Sequence, residues 1–147
     1  MNDTLHNSEI QDFEVAIEER YAKVWVNSEQ KIIICELLAD YIPIGDFKQV
    51  FFQIGEIVKA GDFEKFIFDK RSLRAFHQPT MEWYFIHWKK EMLGYGLKVH
   101  RKILPAEKWF EKMVNIAKDQ ILLNYPDNII EQLDIKYCDS IEEAIRI

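Results

Sequence analysis

The sequence contains few of the residues that interrupt a chain or cross-link it. Its 147 residues include five Gly, four Pro and two Cys. So little Gly and Pro excludes a low-complexity or linker-rich chain, and the wide separation of Cys35 and Cys138 fits neither a zinc site nor a redox pair. The sequence therefore predicts one folded domain with a sizeable core, in which both Cys are reduced, buried thiols.

Long apolar runs are also missing. No stretch of the sequence reaches the roughly 18 consecutive apolar residues of a membrane-spanning helix. The first four residues are polar and acidic, whereas a secretory signal begins with a basic segment that is followed by an apolar one. We therefore expect a cytoplasmic protein with no membrane span.

Positive charge is scarce overall and unevenly distributed. The net charge of −6 disfavours nucleic acid as a partner. Residues 1–19 carry six Asp and Glu and no Lys or Arg, whereas residues 64–112 carry eleven Lys and Arg against six Asp and Glu. The basic segment favours an acidic partner or an anionic group. We divide the chain into an acidic N-terminal extension, residues 1–19, and a single domain, residues 20–147.

The acidic extension is open to two interpretations. Ile10, Phe13 and Ile17 have the spacing of a short amphipathic helix. Phe13, Val15 and Ile17 alternate with polar residues as they would in a strand. The pattern alone does not choose between a helix and a strand.

The rest of the chain alternates between strand and helix patterns. Runs rich in β-branched and aromatic residues predict strands at residues 21–26, 32–38, 64–68, 97–103 and 133–137. Amphipathic periodicity predicts helices at residues 46–60, 80–93, 105–124 and after Asp139. The first two strands form an antiparallel hairpin, and every later strand follows a helix. This order predicts an α/β fold with a mostly parallel sheet, an N-terminal β-hairpin and helices packed on the sheet.

The predicted helices have apolar faces, and some of their large side chains lie outside those faces. The second helix has a core stripe of Met81, Tyr84, Phe85, Trp88 and Met92. The third helix is predicted to bury Trp109, Phe110, Met113, Val114, Ala117 and Ile121. Large or basic side chains outside the core faces are the interface candidates: Phe52, Trp83, Ile86, His87 and Lys90. Exposed Trp favours a protein partner, such as a second copy of this chain. The alternative is that the extension or the third helix covers these residues.

The loop between the third strand and the second helix carries the second group of candidates. Its charged and polar side chains are Asp69, Arg71, Arg74, His77 and Thr80. A helix N-terminus attracts anions, and two Arg add bidentate contacts to a phosphate or carboxylate. The loop therefore predicts an anion or partner site. In the alternative interpretation, Asp69 caps or salt-bridges the loop and both Arg are solvated.

Recognised catalytic patterns are absent. The sequence has no GxSxG, GxGxxG or GxxxxGK[ST] motif, and Cys35 lies inside an apolar run without a base beside it. No two of the four His lie three or four residues apart, as a pair of His ligands on one helix face would. The sequence predicts no enzyme, no metal and no cofactor.

Several short strings carry a resemblance to a known family. They are Asp46–Lys48 at the start of the first helix, Phe66–Arg71, Pro79, and Tyr137–Ile145. With the element order, they resemble the SpoIIAA-like branch of the STAS domains, which is the fold of the anti-sigma factor antagonists and is related in shape to the lipid-binding Sec14 class. The strings are most similar to small STAS-like proteins of Bacteroidetes, and the resemblance covers residues 20–147.

The chain departs from this family at one motif. The antagonists carry a phosphorylatable Ser at the start of the second helix, in an Asp-Ser-Ser/Thr-Gly type of string. Here the corresponding string is His77–Met81, which has no following Gly and has Pro before its hydroxyl residue, Thr80. The resemblance therefore implies the STAS-like fold without the phosphorylation switch.

Together these observations predict a non-enzymatic STAS-like domain. The first hypothesis is a protein-interaction or regulatory module that uses the loop 69–80 and the helix faces around Phe52 and Trp83. A second is a binder of a small apolar or lipid-like ligand, which requires a pocket lined by aromatic residues: Phe51, Phe52, Trp83, Tyr84 or Trp88. A third hypothesis, an enzyme of an unfamiliar type, requires a concave site that gathers Asp69, Arg71 and His77.

Overall fold

The structure is a computed structural model that describes residues 10–147. Its centre is a six-stranded sheet in which the spatial order of the strands follows the chain. The strands are β1 Glu14–Glu18, β2 Ala22–Asn27, β3 Ile32–Leu37, β4 Lys65–Asp69, β5 Val99–Ile103 and β6 Asp134–Tyr137. The first three strands are antiparallel, and β3 to β6 are parallel. The predicted α/β class, the mostly parallel sheet and the hairpin of β2 and β3 are confirmed.

Helices connect the parallel strands. They are α1 Ile44–Ala60, α2 between residues 78 and 93 and α3 Lys108–Asn124, and a fourth helix, α4 Ile141–Arg146, follows β6. Helix α2 has three consecutive segments, which are α-helical Gln78–Glu82, π-helical Trp83–Trp88 and α-helical Lys89–Leu93. A short 3-10 turn, Ile130–Gln132, precedes β6. No helix of the described residues is long and apolar enough to cross a membrane.

The sheet begins inside the segment that was predicted to be an N-terminal extension. Strand β1 pairs antiparallel with β2, and the register shifts between Val15 and Ile17. Ile17 is buried, while Ile10 and Phe13 pack against the sheet without being strand residues. Of the two interpretations of this segment, the strand is therefore confirmed for residues 14–18. Residues 1–9 lie outside the described part of the chain.

Both faces of the sheet are covered, which explains the apolar runs in its central strands. Phe66 and Phe68 point to the face packed by α1 and α2, which we call the helical face. Ile67, between them, points to the opposite face, where α4 packs. All six residues of β3 are buried for the same reason. The two Cys are free and buried, as predicted, and they lie in the clusters of opposite faces.

Aromatic rings fill the helical face around Trp88. Its ring centroid lies 5.0 Å from that of Phe51 and 5.2 Å from that of Phe66. The indole Nε1–H donates a buried hydrogen bond of 2.8 Å to the backbone oxygen of Phe51. Gly55 permits this approach of α1 to α2, because a Cβ there would lie 3.3 Å from Met92 Cε. Phe51, which the sequence places at the margin of the α1 core face, is fully buried.

The predicted core face of α3 is too wide. Its buried residues are Phe110, Val114, Ala117 and Ile121, which occupy one narrow side of the helix. Trp109 and Met113 were predicted to be buried, yet they are 47% and 44% exposed. Each precedes a buried residue, so it is rotated by about 100° from the packed side. Helix α3 packs mainly against α2, and this contact is too narrow to bury Trp109 and Met113 as well.

The buried indole gives the first prediction. Trp88→Phe keeps an aromatic ring but removes the N–H donor and part of the packed volume. We expect the free energy of unfolding to fall by about 1–3 kcal/mol in urea denaturation. Trp109→Phe is the matched control, since this Trp is half-exposed, and its effect should stay within about 0.5 kcal/mol. Equal effects of the two substitutions would contradict the packing described for Trp88.

Candidate functional site

A small cavity opens at the carboxyl end of the central strands. Its volume is about 70 Å³, enough for roughly five water molecules or a short organic chain. Apolar side chains from the sheet and from three helices form most of its wall: Leu37, Phe47, Phe68, Met81 and Phe110. The polar residues that line it are Tyr41, Lys70, His77, Thr80 and Tyr84. Among the described residues, no acidic side chain lines this cavity.

Lys70 is the charged residue of this cavity. It follows β4 at the position where the alternation of Phe66 and Phe68 continues, so its side chain lies on the helical face. Its backbone N–H donates to the Ile103 oxygen at 2.8 Å, which fixes the start of the loop. The Nζ lies 5.2 Å from the Phe68 ring centroid, and no carboxylate of the described residues pairs with it. Burial lowers the pKa of Lys70 to about 8.

Two further buried lysines lie beside it. Lys89, on α2, and Lys102, on β5, are 0% and 1% exposed. Their Nζ atoms lie 4.4 and 4.0 Å from the centroid of the Phe85 ring. Burial, followed by mutual repulsion and by the charge of Lys70, lowers the pKa of Lys102 well below its usual value. The pKa of Lys89 falls in the same direction, chiefly through burial. Lys70, Lys89 and Lys102 are called the lysine cluster below.

Polar atoms without hydrogen-bond partners concentrate around the lysine cluster. Within the described residues they include Tyr84 Oη, Lys89 Nζ and His100 Nδ1. Burial raises the pKa of Tyr84 well above its usual value, so its hydroxyl keeps its proton. Burial and the neighbouring lysines lower the pKa of His100 well below its usual value, so the ring is neutral. Native proteins leave few buried polar groups unpaired, so each of these atoms requires a partner such as a bound water, an ion or a ligand.

The predicted loop residues do not form one site. Arg71 binds Asp69 as a fork, with Nε–Oδ1 of 2.9 Å and Nη2–Oδ2 of 2.7 Å. Asp69 is buried, and its carboxylate also accepts the Arg71 backbone N–H. Ser72 Oγ donates to the backbone oxygens of Leu37 and Ala39, which ties the loop to the sheet. This geometry matches the alternative interpretation, in which Asp69 holds the loop together.

The remaining loop candidates divide between two concavities. His77 accepts the Thr80 backbone N–H as the N-cap of α2, and both residues line the cavity of Lys70. Arg74 donates to two loop carbonyls and lies 3.6 Å from Glu107. Arg71 and Arg74 line a separate open cleft, where three acidic residues balance them: Glu107, Glu111 and Asp139. The site that would gather Asp69, Arg71 and His77 is therefore not formed.

The interface candidates lie along the seam between α1 and α2. Phe52 is 54% exposed, and its ring lies edge-on to Trp83 at 5.5 Å. Trp83 is half-buried beneath Lys48, whose Nζ lies 5.4 Å from its ring. His87 and Lys90 are exposed, whereas Ile86 packs against the α3 cluster. Of the aromatic residues predicted to line a pocket, Tyr84 lines the cavity, and Phe51 and Trp88 fill the core.

Sequence reasoning missed the lysine cluster. The residues on either side of Lys70, Asp69 and Arg71, were selected for their charge and loop position. The alternation of β4 could have predicted the burial of Lys70. Every second residue of a strand lies on the same face, and Lys70 follows Phe66 and Phe68 in this pattern. No sequence pattern predicts the burial of Lys89 and Lys102, because their burial depends on which elements pack against α2 and β5.

An exposed apolar stripe on α3 was also missed. Its members are Trp109, Met113, Ile116 and Leu123, at three-, four- and seven-residue spacing, with exposures from 44% to 77%. We call these four residues the α3 stripe. No group of three His, Cys, Asp or Glu in residues 10–147 is arranged to hold a metal ion.

The burial of Lys70 gives a pH-dependent prediction. Its pKa is depressed in the folded chain, so between about pH 8 and pH 10.4 the unfolded chain binds one more proton than the native chain, and stability rises with pH. Below about pH 8 the cost of the buried charge is on the order of 3 kcal/mol. Lys70→Met removes that cost, and we expect it to stabilise the chain at pH 7 by about 1–3 kcal/mol.

Urea denaturation at pH 7, 9 and 10 measures this effect. The advantage of Lys70→Met over the unmodified chain should shrink as pH rises, because the amine of Lys70 loses its charge. Lys98→Met is the matched control, since Lys98 is exposed, and its effect should not vary with pH. An advantage of Lys70→Met that stays constant across this range would contradict the burial of a charged amine.

The chain was compared with protein-family models, curated proteins and solved structures. It matches none of them. The STAS-like resemblance therefore rests on the short strings and the element order, and the candidate site rests on its own geometry.

Proposed function

We propose that this chain is a non-enzymatic STAS-like domain that binds a small organic anion with an apolar body in the cavity at Lys70. The observation that carries the proposal is a buried lysine that lines an apolar cavity and has no carboxylate partner among the described residues. Of the hypotheses drawn from the sequence, this one develops the small apolar ligand. We further propose that the chain acts in the cytoplasm.

The electrostatics of the cavity support an anion. An isolated buried charge is costly, and a charge that is paired and hydrogen-bonded is much less so. Lys70 is the lysine that lines the cavity, and the lining contributes no acidic side chain among the described residues. A carboxylate bound at Lys70 would pair its ammonium group.

The size and the wall of the cavity restrict the apolar body. About 70 Å³ accepts a short chain or a small ring. Phe47, Phe68 and Phe110 provide apolar contacts for such a group. The resemblance to a fold class related to lipid-binding Sec14 proteins supports the same ligand chemistry, at the short end of the lipid-like range. Hexanoate is therefore a suitable probe.

Binding of hexanoate tests this proposal. We expect titration calorimetry or amide chemical shifts at pH 7 to detect saturable binding, and Lys70→Met to weaken it by roughly 10- to 100-fold through loss of a charge-assisted hydrogen bond. Affinity should fall as pH rises above about 8, where free Lys70 becomes neutral. Lys98→Met should bind as the unmodified chain does. Hexanol that binds as tightly as hexanoate would contradict recognition of an anion.

A second candidate function is self-association as a protein-interaction module. Two exposed apolar features support it: the seam of Phe52 and Trp83, and the α3 stripe. Neither is covered by the described part of the chain. Contiguous exposed apolar side chains on one helix are typical of interaction sites. The partner that we propose for this surface is a second copy of the chain.

Light scattering distinguishes this candidate from the first. If the surface mediates self-association, the solution mass is that of two chains, and Ile116→Lys with Leu123→Lys reduces it to one. Trp83→Ala tests the seam in the same way, and Lys98→Met serves again as the control. A mass of one chain at every concentration would contradict self-association and leave the ligand proposal intact.

A further inference from the structure

The position of the Lys70 amine has a chemical consequence beyond ion pairing. The Nζ borders the cavity, whereas Lys89 and Lys102 lie deeper and do not line it. Apolar walls surround the amine, and its nearest aromatic contact is the Phe68 ring at 5.2 Å. A lysine desolvated in an apolar pocket is an arrangement that makes an amine nucleophilic.

We propose that Lys70 forms a reversible imine with a small apolar aldehyde or ketone that occupies the cavity. This inference rests on the proposed ligand binding at the same site, and it names carbonyl compounds as a ligand class. It requires no group other than the side chains that line the cavity and the carbonyl compound itself.

The reaction is balanced by the release of water. The lone pair of the neutral Lys70 Nζ attacks the carbonyl carbon, a C–N bond forms, and the carbonyl π electrons move to oxygen. Oxygen gains a proton, nitrogen loses one, and the product is a carbinolamine. Its hydroxyl then leaves as water after protonation, the nitrogen lone pair forms the C=N bond, and nitrogen gives up its remaining proton. The net change is an amine plus a carbonyl compound to an imine plus water.

Two features of the cavity favour this chemistry at Lys70. With a pKa of about 8, about one tenth of the Lys70 amine is neutral at pH 7. An ordinary exposed lysine, with a pKa of about 10.4, is neutral in fewer than about one molecule in a thousand. The apolar walls limit the return of water to the imine.

Reductive trapping tests the inference. The full chain is incubated at pH 7 with butanal and sodium cyanoborohydride, and peptide mass mapping follows the butyl adduct at each lysine. We expect Lys70 to be labelled at least about tenfold faster than exposed Lys98 and Lys90 of the same molecules, as its larger neutral fraction requires. Hexanoate should slow labelling at Lys70 alone. In urea, all three lysines should react at similar rates.

The outcomes separate this inference from the binding proposal. Labelling of Lys70 no faster than Lys98 in the folded chain overturns the imine, and if hexanoate still binds, the binding proposal stands. Preferential labelling that persists in urea also overturns it, because the fold would then have no part in the reactivity. Preferential labelling that hexanoate suppresses supports both.

Discussion

The packing of α2 against the sheet is the interaction on which the rest of the molecule depends. Trp88 is held between α1 and β4 by ring contacts and by its hydrogen bond to Phe51. The π-helical segment that contains it has a backbone hydrogen bond from Lys89 to Tyr84, one residue longer than in an α-helix. This segment presents Tyr84, Phe85 and Trp88 to the sheet together. The cavity and the lysine cluster both adjoin these rings.

The lysine cluster buries amines in a core that otherwise consists mainly of apolar side chains, and these two environments conflict. The rings of Tyr84 and Phe85 face the amines of Lys89 and Lys102. Each such cation–π contact stabilises a desolvated ammonium group by about 0.5–2 kcal/mol. That gain does not match the cost of two buried charges, so the pKa values of both amines fall. Places where a sequence departs from the rules of stable packing are often functional. An anion or a carbonyl compound in the cavity would meet Lys70, the member of the cluster that lines it.

Periodic patterns in the sequence predicted the positions of helices and strands well and the contacts between them less well. The apolar run of β3 and the hairpin with β2 were readable because a strand covered on both faces must be apolar throughout. The edge strand β1 was ambiguous, since Ile17 is its one buried residue. Trp109 and Met113 were assigned to the core from helical spacing, but α3 has a neighbour on one narrow side only. The sequence identified the charged residues of the loop but left open whether Asp69 and Arg71 pair with each other.

The sequence by itself determined the class of fold, the order of strands and helices, and the core faces of α1 and α2. These follow from local periodicity, which a chain carries in its own residues. Only the tertiary structure decided that Lys70, Lys89 and Lys102 converge with no carboxylate partner among residues 10–147 and that a cavity opens beside them. Their burial depends on contacts between residues distant in sequence, from β4, α2 and β5. Charge and spacing along the chain do not specify which side chains meet there, and therefore the candidate site became visible in three dimensions.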